Sequence, residues 1–102
     1  MFNLSDAEQQ IIAGVLSRYI DADCELFVFG SRAKLTNHRH SDLDMVVRSD
    51  APIDLSKLAL ISDAFSESDL PFRVDLIDWN RISEEFRSHI QGHWVPWDIK
   101  ER

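Results

Sequence analysis

The chain has 102 residues, 44% of them apolar and 28% charged, with a formal net charge of −7. That is enough for one modest core, so residues 1–102 are expected to form a single domain, with its core at about 5–92 and a tail over 93–102. No apolar run is long enough to span a membrane, the acidic balance excludes a nucleic-acid backbone as an unaided partner, and the lone Cys24 excludes an internal disulfide.

In chain order, Ser5-Asp6-Ala7-Glu8 carries a capping-box pattern. Ile11, Ile12, Val15, Leu16 and Tyr19 follow at helical spacing, which predicts an amphipathic helix ending near Asp21. With Asp6 and Glu8 and no basic stretch, this N-terminus does not read as a signal peptide, and the expected compartment is the cytoplasm. Leu26-Phe27-Val28-Phe29 is a short β-branched and aromatic run, predicting a buried strand over roughly 25–29. Gly30-Ser31 makes the turn after it, 32–35 a short helix, and 37–41 a polar loop carrying His38, Arg39 and His40. A second strand is predicted over 42–48. Asp54 is a candidate N-cap for a helix that turns Leu55, Leu58, Ile61 and Phe65 inward. A third strand covers 72–77, with Phe72, Val74 and Leu76 on one side and Arg73, Asp75 and Ile77 on the other. Asn80 or Ser83 caps a last helix whose Ile82, Phe86 and Ile90 face the core, and Asp78 is a further candidate for that cap. The tail HWVPWDIKER is too apolar to hang free, so Trp94 and Trp97 either anchor a partner or pack on their own domain.

This order predicts an α/β (α+β) fold, a small three-stranded mixed sheet covered by helices. The first two strands are antiparallel if Gly30-Ser31 and Asp42 share a site. The second and third are parallel because a whole helix joins them.

Chemistry is concentrated in Gly30 to Asp44, GSRAKLTNHRHSDLD. Alternation points Asp42 and Asp44 to one face, away from Leu43, Met45 and Val47, and the parallel crossover sets Asp75 on the neighbouring strand. Ionised carboxylates about 5 Å apart repel by roughly 3 kcal/mol per pair at an effective dielectric near 20. Such a group therefore calls for cations, and all-oxygen donors select magnesium or manganese over zinc. Two such ions can clamp the oxygens of a phosphoryl or nucleotidyl transfer, while Gly30 lets backbone approach a phosphate that Ser31 can hold. Strand ends also tolerate aspartate, and Gly-Ser also serves as a plain turn. Arg32 is a candidate phosphate contact or a structural ion pair, and His38-x-His40 is too short a pattern to assign a metal.

At these residues the sequence resembles the minimal nucleotidyltransferases of the DNA-polymerase-β-like superfamily. The motif is Gly30-Ser31, ten residues, then Asp42-Leu43-Asp44, with Asp75 in Val74-Asp75-Leu76-Ile77 as the third acid, and the likeness spans about residues 5–92. The resemblance implies a polymerase-β-like fold and magnesium-dependent transfer of AMP from ATP. Asp42, Asp44 and Asp75 would be the catalytic metal ligands for two Mg2+ ions, Asp75 also the base toward the incoming hydroxyl. Gly30, Ser31 and Arg32 would form the nucleotide-binding set. Members of this size look like antitoxins that adenylylate a HEPN-domain toxin, typically on a tyrosine. Other readings within the resemblance are a non-catalytic module that occludes its partner, and a small-molecule adenylyltransferase whose partner supplies the acceptor site. Two departures stand out: Leu35 where many members carry glycine, and HWVPWD where members tend to end in a short aliphatic strand.

Overall fold

A computed structural model describes residues 2–98. Helix α1, Asp6–Tyr19, begins on a complete capping box: the Ser5 hydroxyl accepts the Glu8 amide at 3.1 Å, and the Glu8 carboxylate accepts the Ser5 amide at 2.9 Å. Ile12 and Leu16 on its inner face are fully buried. Strand β1, Glu25–Phe29, the short helix α2, Ser31–Lys34, and strand β2, Leu43–Arg48, follow. Helix α3, Leu55–Ser66, then crosses to strand β3, Val74–Asp78; a 3-10 turn at Trp79–Arg81 leads into helix α4, Glu84–Gln91.

The expected three-stranded sheet has a fourth member among the described residues. Val95–Pro96 forms strand β4, antiparallel to β1, and the sheet order is β3-β2-β1-β4. A two-residue strand containing proline has no alternation to reveal it, and an edge position is where the ladder tolerates proline. The other pairings are as expected, β1 antiparallel to β2 and β2 parallel to β3.

Alternation divides the core between the two faces. One face sets Leu26, Val28, Leu43, Met45, Val47 and Val74 against α1 and α3. The other sets Phe27, Phe29 and Val46 against Ile90 of α4. The tail uses both. Trp94 stacks on Phe27 with ring centroids 3.7 Å apart, while Trp97, three residues on and so across the pleat, is 4% exposed and meets Phe2 edge-on. Both tryptophans thus pack on their own domain.

Some inward assignments differ from expectation. Leu55 is 65% exposed because it opens the first turn of α3, ahead of Ile61 and Phe65, which reach the sheet. Asp54 holds the N-cap position of that helix without a capping hydrogen bond from its side chain. Phe86 lies at the rim of α4, 37% exposed and edge-on to Phe29. Asp78 does not cap α4, which Ser83 caps by accepting the Phe86 amide. Its buried carboxylate instead accepts the Asn80 amide of the 3-10 turn and, at 2.7 Å, the Ile53 amide.

Candidate active site

β1 ends and β2 and β3 begin at one edge of the sheet. Phe29 is registered with Asp44, and Asp44 with Asp75, so the two acids are direct neighbours on parallel strands with side chains on the α4 face. Asp42, two residues before Asp44 and just outside the strand, continues that face.

Gly30 completes the edge. Its φ of 75° and ψ of −154° lie in a region essentially reserved for glycine. A Cβ there would stand 2.5 Å from Oδ2 of Asp44, so the absence of a side chain is what lets the carboxylate lie over the turn. Ser31, half-buried, follows as the first residue of α2.

The electrostatics match three acids crowded at a strand edge. Partial burial, then Asp75, then Asp42 push the Asp44 carboxyl above its usual range, against a smaller opposing pull from Arg73. Arg73 precedes Asp75 by two residues, shares its face, and donates to Asp42 at 2.8 Å. That pair is largely solvent-exposed, and the carboxylate raises the guanidinium's affinity for its proton. Asp42 is thus already partnered. Among the described residues no three His, Cys, Asp or Glu side chains converge as metal ligands do, His38 and His40 included. The donor set still fits a hard divalent cation, being all carboxylate, and a cation there would relieve the crowding that pushes the Asp44 carboxyl up.

An open cleft of about 690 Å3 runs beside β3, lined by His40, Ser62, Ser66, Phe72, Arg73 and Asp75. His40 is held there by Nδ1 within 3.1 Å of the Pro71 carbonyl.

Arg32, expected in the nucleotide-binding set, has its guanidinium engaged by backbone carbonyls instead of facing the acids' open side. Its guanidinium is buried under the Phe72 ring at 4.2 Å. It donates to the carbonyls of Phe2, Asn3, Arg39 and Ser41, tying the N-terminal segment to the loop that leads into Asp42. Burial lowers its affinity for the proton, and four carbonyls with one ring face stand in for water. Lysine offers one compact ammonium in place of this planar fork. Arg32→Lys is therefore expected to cost about 2 kcal/mol, read as a lower midpoint in urea unfolding. An unchanged midpoint would show that the carbonyls do not depend on it.

Leu35 closes α2 with φ 59° and ψ 32°, a left-handed residue at the position where many nucleotidyltransferases of this size carry glycine. With leucine there α2 is closed by backbone hydrogen bonds, Leu35 donating to Arg32 and Thr36 to Ser31. The departure places a 63% exposed side chain in a conformation that costs roughly 1 kcal/mol.

Two participants escaped the sequence reading. Alternation places Arg73 on the face of Asp75, but its pairing with Asp42 joins residues 31 apart and has no local signal. His93 is the other: its Nε2 accepts the Gly30 amide at 2.9 Å across 63 residues of sequence. No local pattern signals such a contact.

Residues 10–95 match the family described as polymerase beta, nucleotidyltransferase. The chain is 38% identical over 100 residues to the probable protein adenylyltransferase MntA of Haemophilus influenzae, covering 98% of this chain and 87% of that one. Among solved structures, a toxin-antitoxin with AMP-PNP is similar at a TM-score of 0.73 and 24% identity, covering 87% of this chain and 72% of that one. A tri-AMPylated Shewanella oneidensis HEPN toxin in complex with MNT antitoxin gives 0.63 and 19%, over 91% and 75%. At such identities the structural likeness establishes the fold.

Proposed function

The chain belongs to the polymerase beta nucleotidyltransferase family, and from that premise we propose that it transfers AMP from ATP to a hydroxyl, a tyrosine's by preference, on a HEPN-domain toxin, acting as its antitoxin. The relative named as a protein adenylyltransferase supports the reaction, and the similar structures of toxin with antitoxin support the partner. The observation that carries the reading is the register of Asp44 with Asp75 beside Gly30.

In this reading Asp42, Asp44 and Asp75 would hold two magnesium ions, with manganese as a substitute. Such ions, when bound, neutralise the polyphosphate and stabilise charge on the attacking and leaving oxygens. Ser31 donates its hydroxyl to the terminal phosphates, and Gly30 keeps the chain low enough for them to approach. Asp75, on the exposed side of the acid row, accepts the proton of the incoming hydroxyl. Arg73 holds Oδ2 of Asp42, and so exposed an ion pair competes weakly with a divalent cation. Residues 1–102 act as a single domain, in the cytoplasm, and none of the described helices is long and apolar enough to cross a membrane.

Labelled ATP, magnesium and the cognate toxin test this directly. Wild type is expected to label the toxin, and the double variant Asp42→Ala, Asp44→Ala to leave it unlabelled. Equal labelling by both would remove the acids from the chemistry. The Arg73–Asp42 pair favours a second reading, a non-catalytic module that neutralises its partner by covering it. Titration calorimetry separates the two: tight toxin binding with no uptake of magnesium-ATP would select the module.

A further inference from the structure

His93 lies between α4 and β4, its own amide held by the Ile90 carbonyl at 3.1 Å. Its ring is half-buried and edge-on to His89, with centroids 5.5 Å apart. From there Nε2 accepts the Gly30 amide at 2.9 Å. An imidazole nitrogen accepts only when it carries no proton, so this ring is neutral with its hydrogen on Nδ1. Burial first, then Lys34 and His89, lower its affinity for a second proton, which keeps the acceptor available.

The bond falls at a sensitive point. Gly30 occupies backbone space that places no side-chain restraint on the peptide before it, so something else must fix which way that peptide faces. The next residue is Ser31, whose hydroxyl the proposed chemistry uses. The Gly30 carbonyl is engaged separately, by the Lys34 amide at 3.1 Å. The turn is thereby pinned on both sides of Gly30, within α2 through its carbonyl and from the C-terminal segment through its amide.

We propose that His93 is a positioning residue for the nucleotide, its Nε2 holding the Gly30 amide so that Ser31 faces the polyphosphate. The proposal rests on the nucleotidyltransferase reading above. It also gives the HWVPWD segment a role at the site, since the residue that opens it reaches back to the turn after β1.

Glutamine can bring its side-chain oxygen to the place of Nε2, whereas asparagine is too short and leucine has no acceptor. Magnesium-ATP binding to the full chain, by titration calorimetry, is expected to weaken about tenfold in His93→Leu and His93→Asn and to stay within about threefold of wild type in His93→Gln. With the toxin present, the losses should appear in the KM for ATP, with kcat within about twofold. Hydrogen exchange at the Gly30 amide should quicken in the leucine and asparagine variants and stay slow in the glutamine one. Equal binding by all four proteins, or equal losses in the asparagine and glutamine variants, would overturn the proposal while leaving the reaction intact. A wild-type chain that binds no magnesium-ATP would overturn the reaction as well, so the two failures are distinguishable.

Discussion

Asp44→Asn is expected to reduce nucleotide transfer about a thousandfold while making the protein more stable. The second effect follows from the crowding that the first requires. Burial and two neighbouring carboxylates push the Asp44 carboxyl up, so the folded state holds this proton more tightly than the unfolded chain does. Ionising it at neutral pH therefore costs stability. That cost is absent below the unfolded value near pH 4 and fully present once pH exceeds the raised folded value. The asparagine variant escapes it, so it is expected to melt above the wild type at pH 7. The gain should shrink as pH falls through the raised folded value toward 4, because the folded wild type then takes up the proton at this position. Magnesium with ATP should raise the Tm of the wild type and leave the variant nearly unmoved. Melting curves at pH 7 and pH 4 check the stability, and labelled transfer onto the toxin checks the activity. A variant that melts below the wild type at pH 7 would contradict the electrostatic account, whatever its activity.

Gly30→Ala is expected to be the more damaging change to the fold. Two penalties combine at one atom: a backbone conformation with φ of 75° and ψ of −154°, which side chains avoid, and a Cβ 2.5 Å from Oδ2 of Asp44. Together they should cost about 3 kcal/mol, some 15 °C in Tm, with nucleotide transfer lost as well. The penalties can be separated. In an Asp44→Ala background the clash disappears and the backbone strain remains, so the same glycine substitution should cost about 1 kcal/mol less. If the cost is identical in both backgrounds, Asp44 does not lie over the turn as described.

Both predictions use residues that could be named from the chain alone, because period-two alternation carries most of the information. It placed Asp42 and Asp44 opposite Leu43 and Met45, and Arg73 and Asp75 opposite Phe72 and Val74; the crossover helix then fixed β3 beside β2. What stayed hidden depends on contacts between segments far apart in sequence. Arg32 looks like any cation beside a phosphate turn, and only its four carbonyl partners show it to be a brace. His93 was invisible for the same reason. Trp97 and β4 were obscured because two residues show no period, and Leu55 misled because a helix's first turn can carry the right spacing without reaching the sheet.

The sheet order β3-β2-β1-β4 leaves β3 on the outer margin, with Asp75 exposed along it. The group assigned to receive the acceptor's proton thus stands at a border and not at the bottom of a pit. A bulky macromolecule can present a hydroxyl sideways, without threading a chain inward and without this domain closing around it.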